Sequence, residues 1–398
     1  MDAILLPQRG SGLAAVSAIV RRGSADELDD EHGLASFTTS MLLRGTRRRS
    51  SEQMAFDLES LGAMTGDSSG VDTGGLSVSA TAEAMPAALE ILFEALREPA
   101  FDARELEVHR QEVLADLRMS EDDKFHFTYR EYLKTMFAGH GYGHPSDGEM
   151  ADVEAIGVEA CRRWHAGRIR PETILFVAVG DFERDRMAAL VERLAAGWSG
   201  DGEPQPRQQA ALAPEHAPRL DLGKHGLQQG FIVAGFRTPP VTHPDYPALR
   251  LASAVLGEGF GGRLFSNLRD RRSLAYAVGS MLSTYRLGGH QVLYIGTKPE
   301  TIDEAAAGLI EEAEYVRTNL PDEAELNRAR EYVIGKYLMG QQSLAQRGSN
   351  LAWWEDHAGD AAEAARWPDR LHEVTPAQAR AAAERWWVNP TTAILRPE

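Results

Sequence analysis

Cysteine is almost missing from this chain: Cys161 is the only one in 398 residues. A single thiol excludes an intrachain disulfide and any zinc finger or ribbon built on thiolates. Long hydrophobic runs are missing too, which excludes a membrane-spanning helix of about 18 or more apolar residues. Basic charge is in the minority, with 42 Lys and Arg against 59 Asp and Glu and a formal charge of -17. So acidic a surface repels phosphate backbones, and nucleic acid is not an expected partner. The opening residues, from Met1 to Pro7, lack the basic segment and apolar stretch of a secretory signal. The expected location is cytoplasmic, with no membrane association.

What is present is an ordinary core-forming composition, 43% hydrophobic and 25% charged. At about 150 residues per domain, the length allows two or three domains. The chain also contains itself twice. FDARELEVHRQEV at 101–113 lines up with PDEAELNRAREYV at 321–333, an offset of 220. LSVSATAEAMPAALEILFEAL at 76–96 lines up with VLYIGTKPETIDEAAAGLIEEA at 292–313. Each copy reads as a strand, a threonine turn, an amphipathic helix and a second helix with an acidic first turn. A period of half the chain means a duplicated domain, since solenoid repeats run about 20–50 residues.

The stretch 199–218, SGDGEPQPRQQAALAPEHAP, has no apolar periodicity and reads as a linker. It divides the chain into an N-terminal domain at 1–198 and a homologous C-terminal domain at 219–398. The first strand, within ILLPQRGSGLAAVSAIVRR, looks shortened. Strands such as TILFVAVGDF (173–182) and QQGFIVAGF (228–236) are mixed with helices without strict alternation. The expected fold is therefore α+β: two homologous lobes, each a mainly antiparallel sheet with helices packed on one face.

Residues 19–46, IVRRGSADELDDEHGLASFTTSMLLRGT, carry the most information. They resemble the segment around the zinc motif of the pitrilysin–insulysin metallopeptidases, to which the mitochondrial processing peptidase belongs. That text is G-S-x-x-E followed by G-L-A-H-F-L-E-H-M-L-F-x-G-T. Gly23, Ser24, Glu27, Gly33, Leu34, Ala35, Phe37, Met41, Leu42, Gly45 and Thr46 fit it. The chemical positions do not. In the family, two histidines four residues apart bind zinc and the Glu beside the second acts as general base. Here Ser36, Thr39 and Ser40 stand in their places. The third family ligand, a Glu on a later helix, corresponds to Asp116 within LEVHRQEVLADL (106–117), and His109 lies where a supporting Glu is usual. Neutral hydroxyls are weak zinc ligands, and Thr39 cannot serve as a carboxylate base. This chain is expected to bind no cofactor of its own.

In the second copy, GEGFGGRLFSNLRDRRSLAYAVGS (257–280) is similar to the family's R-L-x-x-x-L-R-E-x-R-G-L-A-Y. There an Arg and a Tyr seven residues apart face the zinc across a cleft, and Arg269 and Tyr276 match them. A phenol can donate to the oxyanion of a tetrahedral intermediate, and a guanidinium can fork onto a carbonyl. Some bacterial members divide the site between two homologous subunits. The resemblance thus implies the zinc-less subunit of a heterodimeric zinc endopeptidase, with the H-x-x-E-H helix, the zinc and a substrate-binding edge strand in the partner. The substrate would be a peptide, and the chain alone would be inert. The alternatives are an inactive structural or peptide-binding homologue, and a hydrolase with its own site near His109, Glu112 and Asp116.

Other features have plainer readings. His140 and His144 lie in a Gly- and Pro-rich turn and should not share a helix face. Arg47, Arg48 and Arg49 follow a helix and read as a C-terminal cap. The loop GEGFGG (257–262) lacks the G-K-[ST] ending of a phosphate loop and follows a helix. In the stretch 64–80, Gly74 and Gly75 should weaken a strand that relatives use to capture substrate. Trp353, Trp354, Trp386 and Trp387 read as packing residues, one of each pair free to face a partner.

Overall fold

Seven consecutive residues of Ile174–Gly180 (β5) and nine of Gly230–Thr238 (β7, numbered below) are buried without alternation. A strand reads that way only when both faces of its sheet are covered. In the computed structural model, which describes residues 1–200, 203–207, 212 and 218–398, each of these strands lies inside a five-stranded sheet. The first sheet holds β1 (Asp2–Pro7), β2 (Leu13–Val20), β3 (Met64–Ser69), β4 (Gly74–Thr81) and β5, in the order β1-β5-β2-β4-β3. The second holds β6 (Arg219–Lys224), β7, β8 (Ala277–Tyr285), β9 (Gly288–Thr297) and β10 (Thr391–Pro397), in the order β6-β10-β7-β9-β8. Each sheet is antiparallel except at one end, where β1 pairs with β5 and β6 with β10 in parallel. The first strand is therefore present as a paired edge strand of six residues.

The chain divides into two compact units that are not the two halves of the sequence. One unit comprises Met1–Met119, His144–Gln209 and Gly340–Asp356; the other comprises Ser120–Gly143, Ala210–Met339 and His357–Glu398. Each half thus lends one helix to the unit built mainly from the other.

In the first unit, the helix Met85–Arg97 buries Ala88, Leu89, Leu92 and Leu96 on a face of helical period, against Val16, Val78 and Phe176 of the sheet. The opposite face of β5, made of Leu175, Val177 and Val179, packs on Ala352 of the helix Leu344–Ala358. In the second unit, the helix Lys124–Met136 packs on β7 and β10. There Phe125 meets Phe231 and Tyr294 edge-on, and Tyr132 stacks on His290. The helices Tyr246–Gly257 and Ile302–Thr318 also pack on this second sheet. So most helices lie on one face of each sheet, and the other face is covered by the exchanged helix.

Gly74 and Gly75 lie within a formed strand, both paired with β2 opposite Val20 and Ile19. A Cβ at Gly75 would come within 2.2 Å of the Ala18 carbonyl oxygen, so the absence of a side chain is what allows this pairing. Of the expected linker, 201–202, 208–211 and 213–217 lie outside the described residues. The part at 203–207 belongs to the first unit, where Arg207 makes two 2.9 Å bonds to the buried Asp356 carboxylate. Among the described residues no helix is long and apolar enough to cross a membrane.

Candidate active site

The zinc-motif residues sit on the short helix Leu34–Met41. Glu27, from the G-S-x-x-E text, caps it: its carboxyl accepts from the backbone of Gly33 at 3.1 Å and Ala35 at 2.8 Å. Burial pushes the Glu27 carboxyl up to about 8. Phe37, at the motif's aromatic position, packs its ring 4.6 Å from that of His109. The residues matching the family text are thus the ones that cap and bury this helix.

Each hydroxyl at a chemical position has a bond inside the same unit. Ser36 Oγ donates to Asp147 at 2.9 Å, and Ser40 Oγ to Asp67 of β3 at 2.5 Å. Thr39 is buried and donates back to the Ala35 carbonyl at 2.7 Å. Asp116 is exposed on the helix Ala103–Asp122. Among the described residues, no group of three or more His, Cys, Asp or Glu is placed to hold a metal ion. The donors present do not fit zinc, because two hydroxyls are committed to carboxylates and the third to a main-chain carbonyl.

Near this helix His109 is buried, with Nδ1 3.4 Å from Glu112, which itself pairs with Arg44. Burial, with Arg44 adding to it, holds the His109 imidazole below its ordinary value. A neutral imidazole tilted at 52° against the Phe37 ring serves packing. His140 and His144 have separate partners: His140 accepts from the Tyr142 amide, and His144 stacks on His32 at 3.9 Å. The arginine run is no helix cap. Arg48 pairs with Glu98, and Arg49 with Asp57 and Glu94, since the helix before them ends at Met41 and these carboxylates are within reach. Trp354 and Trp387 are buried, while Trp353 and Trp386 stay partly exposed.

Arg269 and Tyr276 lie in the second unit, at the start of an edge strand. The segment Phe265–Arg271 forms a π-helical turn, a wide geometry that recurs at functional positions. Leu268 and Leu274 anchor the segment in the core, and Arg272 ties it to Glu304 and Glu311 of the neighbouring helix. Ser273, between these anchors, has a left-handed backbone with φ 53°, where the family text has Gly. Thr297 Oγ1 donates to the Leu274 carbonyl at 2.6 Å, and the Tyr276 amide to the Gly296 carbonyl at 3.1 Å.

These anchors leave the two polar side chains outward. Arg269 is exposed and makes no ion pair among the described residues; its guanidinium rests 4.7 Å over the Phe265 ring. Tyr276 is 45% exposed, and among the described residues its hydroxyl has no hydrogen-bond partner. Burial of part of the ring, with the negative charge of Asp123 adding to it, raises the phenol above its ordinary value. It therefore stays protonated at neutral pH and can donate. The ring lies on Gly296, where a Cβ would fall 2.4 Å from Cζ. No motif pointed to Gly296, since its function shows only in cross-strand packing. Both side chains open on a groove of about 560 Å³.

A family model described as "Insulinase (Peptidase family M16)" matches residues 4–146, and one described as "Peptidase M16 inactive domain" matches 155–333. An "uncharacterized zinc protease" of Mycobacterium tuberculosis is 25% identical over 371 residues, covering 93% of this chain and 85% of that protein. A Pseudomonas fluorescens structure described as a peptidase M16 inactive domain superposes with a TM-score of 0.91 at 22% identity, covering 100% of this chain and 95% of that one. A Helicobacter pylori protease gives 0.92 at 17% identity, covering 99% and 96%. With the duplicated sheets and the motif outline already in place, the two matched segments assign the lineage: the chain belongs to peptidase family M16, the insulinase family.

Proposed function

We propose that this chain is the zinc-less subunit of a heterodimeric zinc endopeptidase. It would contribute Arg269 and Tyr276 to a site whose H-x-x-E-H helix, zinc and general base belong to a homologous partner. The observation that carries this reading is a contrast of satisfaction. The hydroxyls at the motif's ligand and general-base positions are used up in internal hydrogen bonds, whereas among the described residues Arg269 has no ion pair and the Tyr276 hydroxyl no hydrogen-bond partner.

In this reading Arg269 forks onto a main-chain carbonyl of the peptide and fixes its register. The protonated Tyr276 phenol donates to the oxygen that becomes negative as the scissile carbonyl turns tetrahedral. Arg269 is held off internal carboxylates, so the incoming peptide need not break an ion pair to reach it. The relatives named as zinc proteases support a peptide as the substrate.

The test is a tagged pull-down from the native organism with the co-purifying chains sequenced. A homologue carrying H-x-x-E-H, and peptidase activity only in the mixture, is the expected result. Purification alone or with unrelated chains would favour an inactive structural or peptide-binding homologue.

A further inference from the structure

The groove beside Arg269 and Tyr276 has a composition of its own. Phe260, in the glycine-rich loop at 257–262, is 81% exposed, and Tyr276 and Tyr332 are 45% and 41% exposed. Three large aromatics left this open around one groove mark a contact surface for something apolar. Phe260 is supported edge-on by Phe265 at 5.0 Å, and the loop backbone at Gly259 lies against Tyr332.

The charge is equally one-sided. Glu258 is the one carboxylate among the lining residues, and it is already spent. Arg250 binds it with both terminal nitrogens, one at 2.8 Å, and Ser253 donates to it at 3.0 Å. Arg269 and Lys336 line the same groove and have no ion pair among the described residues; their guanidinium and ammonium lie over aromatic rings, Phe265 at 4.7 Å and Tyr332 at 5.8 Å. Asp123 is the acidic group close enough to act on Tyr276. Two uncompensated cations among exposed aromatics stand out on a chain with a formal charge of -17.

We infer that this groove selects peptide segments in which an acidic side chain adjoins an aromatic or large apolar one. The apolar side chain lies among Phe260, Tyr276 and Tyr332, and the carboxylate meets Lys336. Lys336 is thereby a specificity residue, separate from Arg269, which engages the peptide main chain. Describing the occupant as substrate rests on the proposed function; the groove's preference for such a segment does not.

The full-length chain is titrated, without any partner, against fluorescein-labelled unfolded peptides that differ only in one dipeptide: Phe-Glu, Phe-Gln, Phe-Lys or Ala-Glu. Anisotropy should rank Phe-Glu above Phe-Gln above Phe-Lys, with about tenfold between the extremes. Ala-Glu should bind more weakly than Phe-Glu. Raising the salt to about 1 M, where the screening length is about 3 Å, should compress the ranking of the three charge variants. Lys336→Glu should invert that ranking and Lys336→Arg should preserve it, with circular dichroism checking the fold of both. Equal binding of Phe-Glu and Phe-Lys, an unchanged ranking in Lys336→Glu, or no binding at all would overturn the inference. If the chain discriminates but no mixture with a zinc-binding homologue cleaves peptides, the subunit reading falls and the groove preference stands. If a mixture cleaves without this preference, the reverse holds.

Discussion

The helix Leu34–Met41 and the segment Phe265–Tyr276 are the two places where the motif resemblance puts chemistry, and in the proposed reading they have gone opposite ways. On the first, the outline of the motif survives from Gly33 to Thr46 except for Thr38 in place of an apolar residue, and Ser36, Thr39 and Ser40 at the three chemical positions are bonded inward. On the second, the polar pair survives and faces out, held by buried leucines, an ion-paired arginine and a bare glycine beneath the tyrosine ring. The lesson concerns satisfaction. A polar group in its final structural role is paired within its own chain, whereas one kept for an external ligand stays exposed and unpaired. The motif outline on the first helix also caps and fills a core, which holds it in place whatever stands at the chemical positions.

Alanine at Arg269 should break the comparison severely, second only to loss of the Tyr276 hydroxyl. In the complex with a zinc-binding homologue it should cost about 100-fold in kcat/KM, read by steady-state kinetics, with the thermal midpoint unchanged. Gly296→Ala replaces neither polar residue but pushes the Tyr276 ring off its seat. A displacement of about 1 Å at a positioned donor costs up to about 100-fold in rate, so we expect a loss of tenfold or somewhat more in kcat with KM little changed.

The two units should also respond to pH in opposite senses. Glu27 is raised from 4.5 to about 8, so its contribution to stability is full below 4.5 and is lost as pH rises through 8. His290 is buried among Tyr129, Tyr132 and Tyr285, and burial lowers its imidazole from 6.5 to about 3. Its contribution is full above 6.5 and is lost as pH falls through 3. Amide exchange should therefore show Ala35 losing protection toward alkaline pH and Gln291 toward acid. Glu27→Gln should flatten the first trend alone. The smallest effect belongs to Ser36→Ala with Ser40→Ala: activity of the complex unchanged, and stability shifted by no more than about 1 kcal/mol per lost hydrogen bond, read by urea denaturation.

Much of this was legible in the sequence. The duplication, the strand–helix order of each copy and the motif outline all came from local patterns, and the fold and family follow them. The covering of both sheet faces was also written there, in the unbroken apolar run of ILFVAVG, but an expectation of helices on one face passed over it. The exchange of Lys124–Met136 and Leu344–Ala358 between units was not legible: an amphipathic face says that a helix is buried, not against which sheet. Likewise, Asp147 and Asp67 lie 111 and 27 residues from the serines they bind, and no spacing rule links such distant residues. Arg48 and Arg49 show the same limit, since their carboxylates come from other helices. The groove around Phe260 and Lys336 emerges only when the glycine-rich loop and the helix Glu323–Met339 come together.

The central claim is that this chain keeps the half of the site that stabilises the transition state, and Tyr276→Phe in the complex with a zinc-binding homologue tests it most directly. Phenylalanine preserves the ring on Gly296 and removes only the donor. A fall of about 100–1,000-fold in kcat at unchanged KM is the predicted result. Unaltered kcat would contradict the claim and leave the chain as a structural companion of the catalytic subunit.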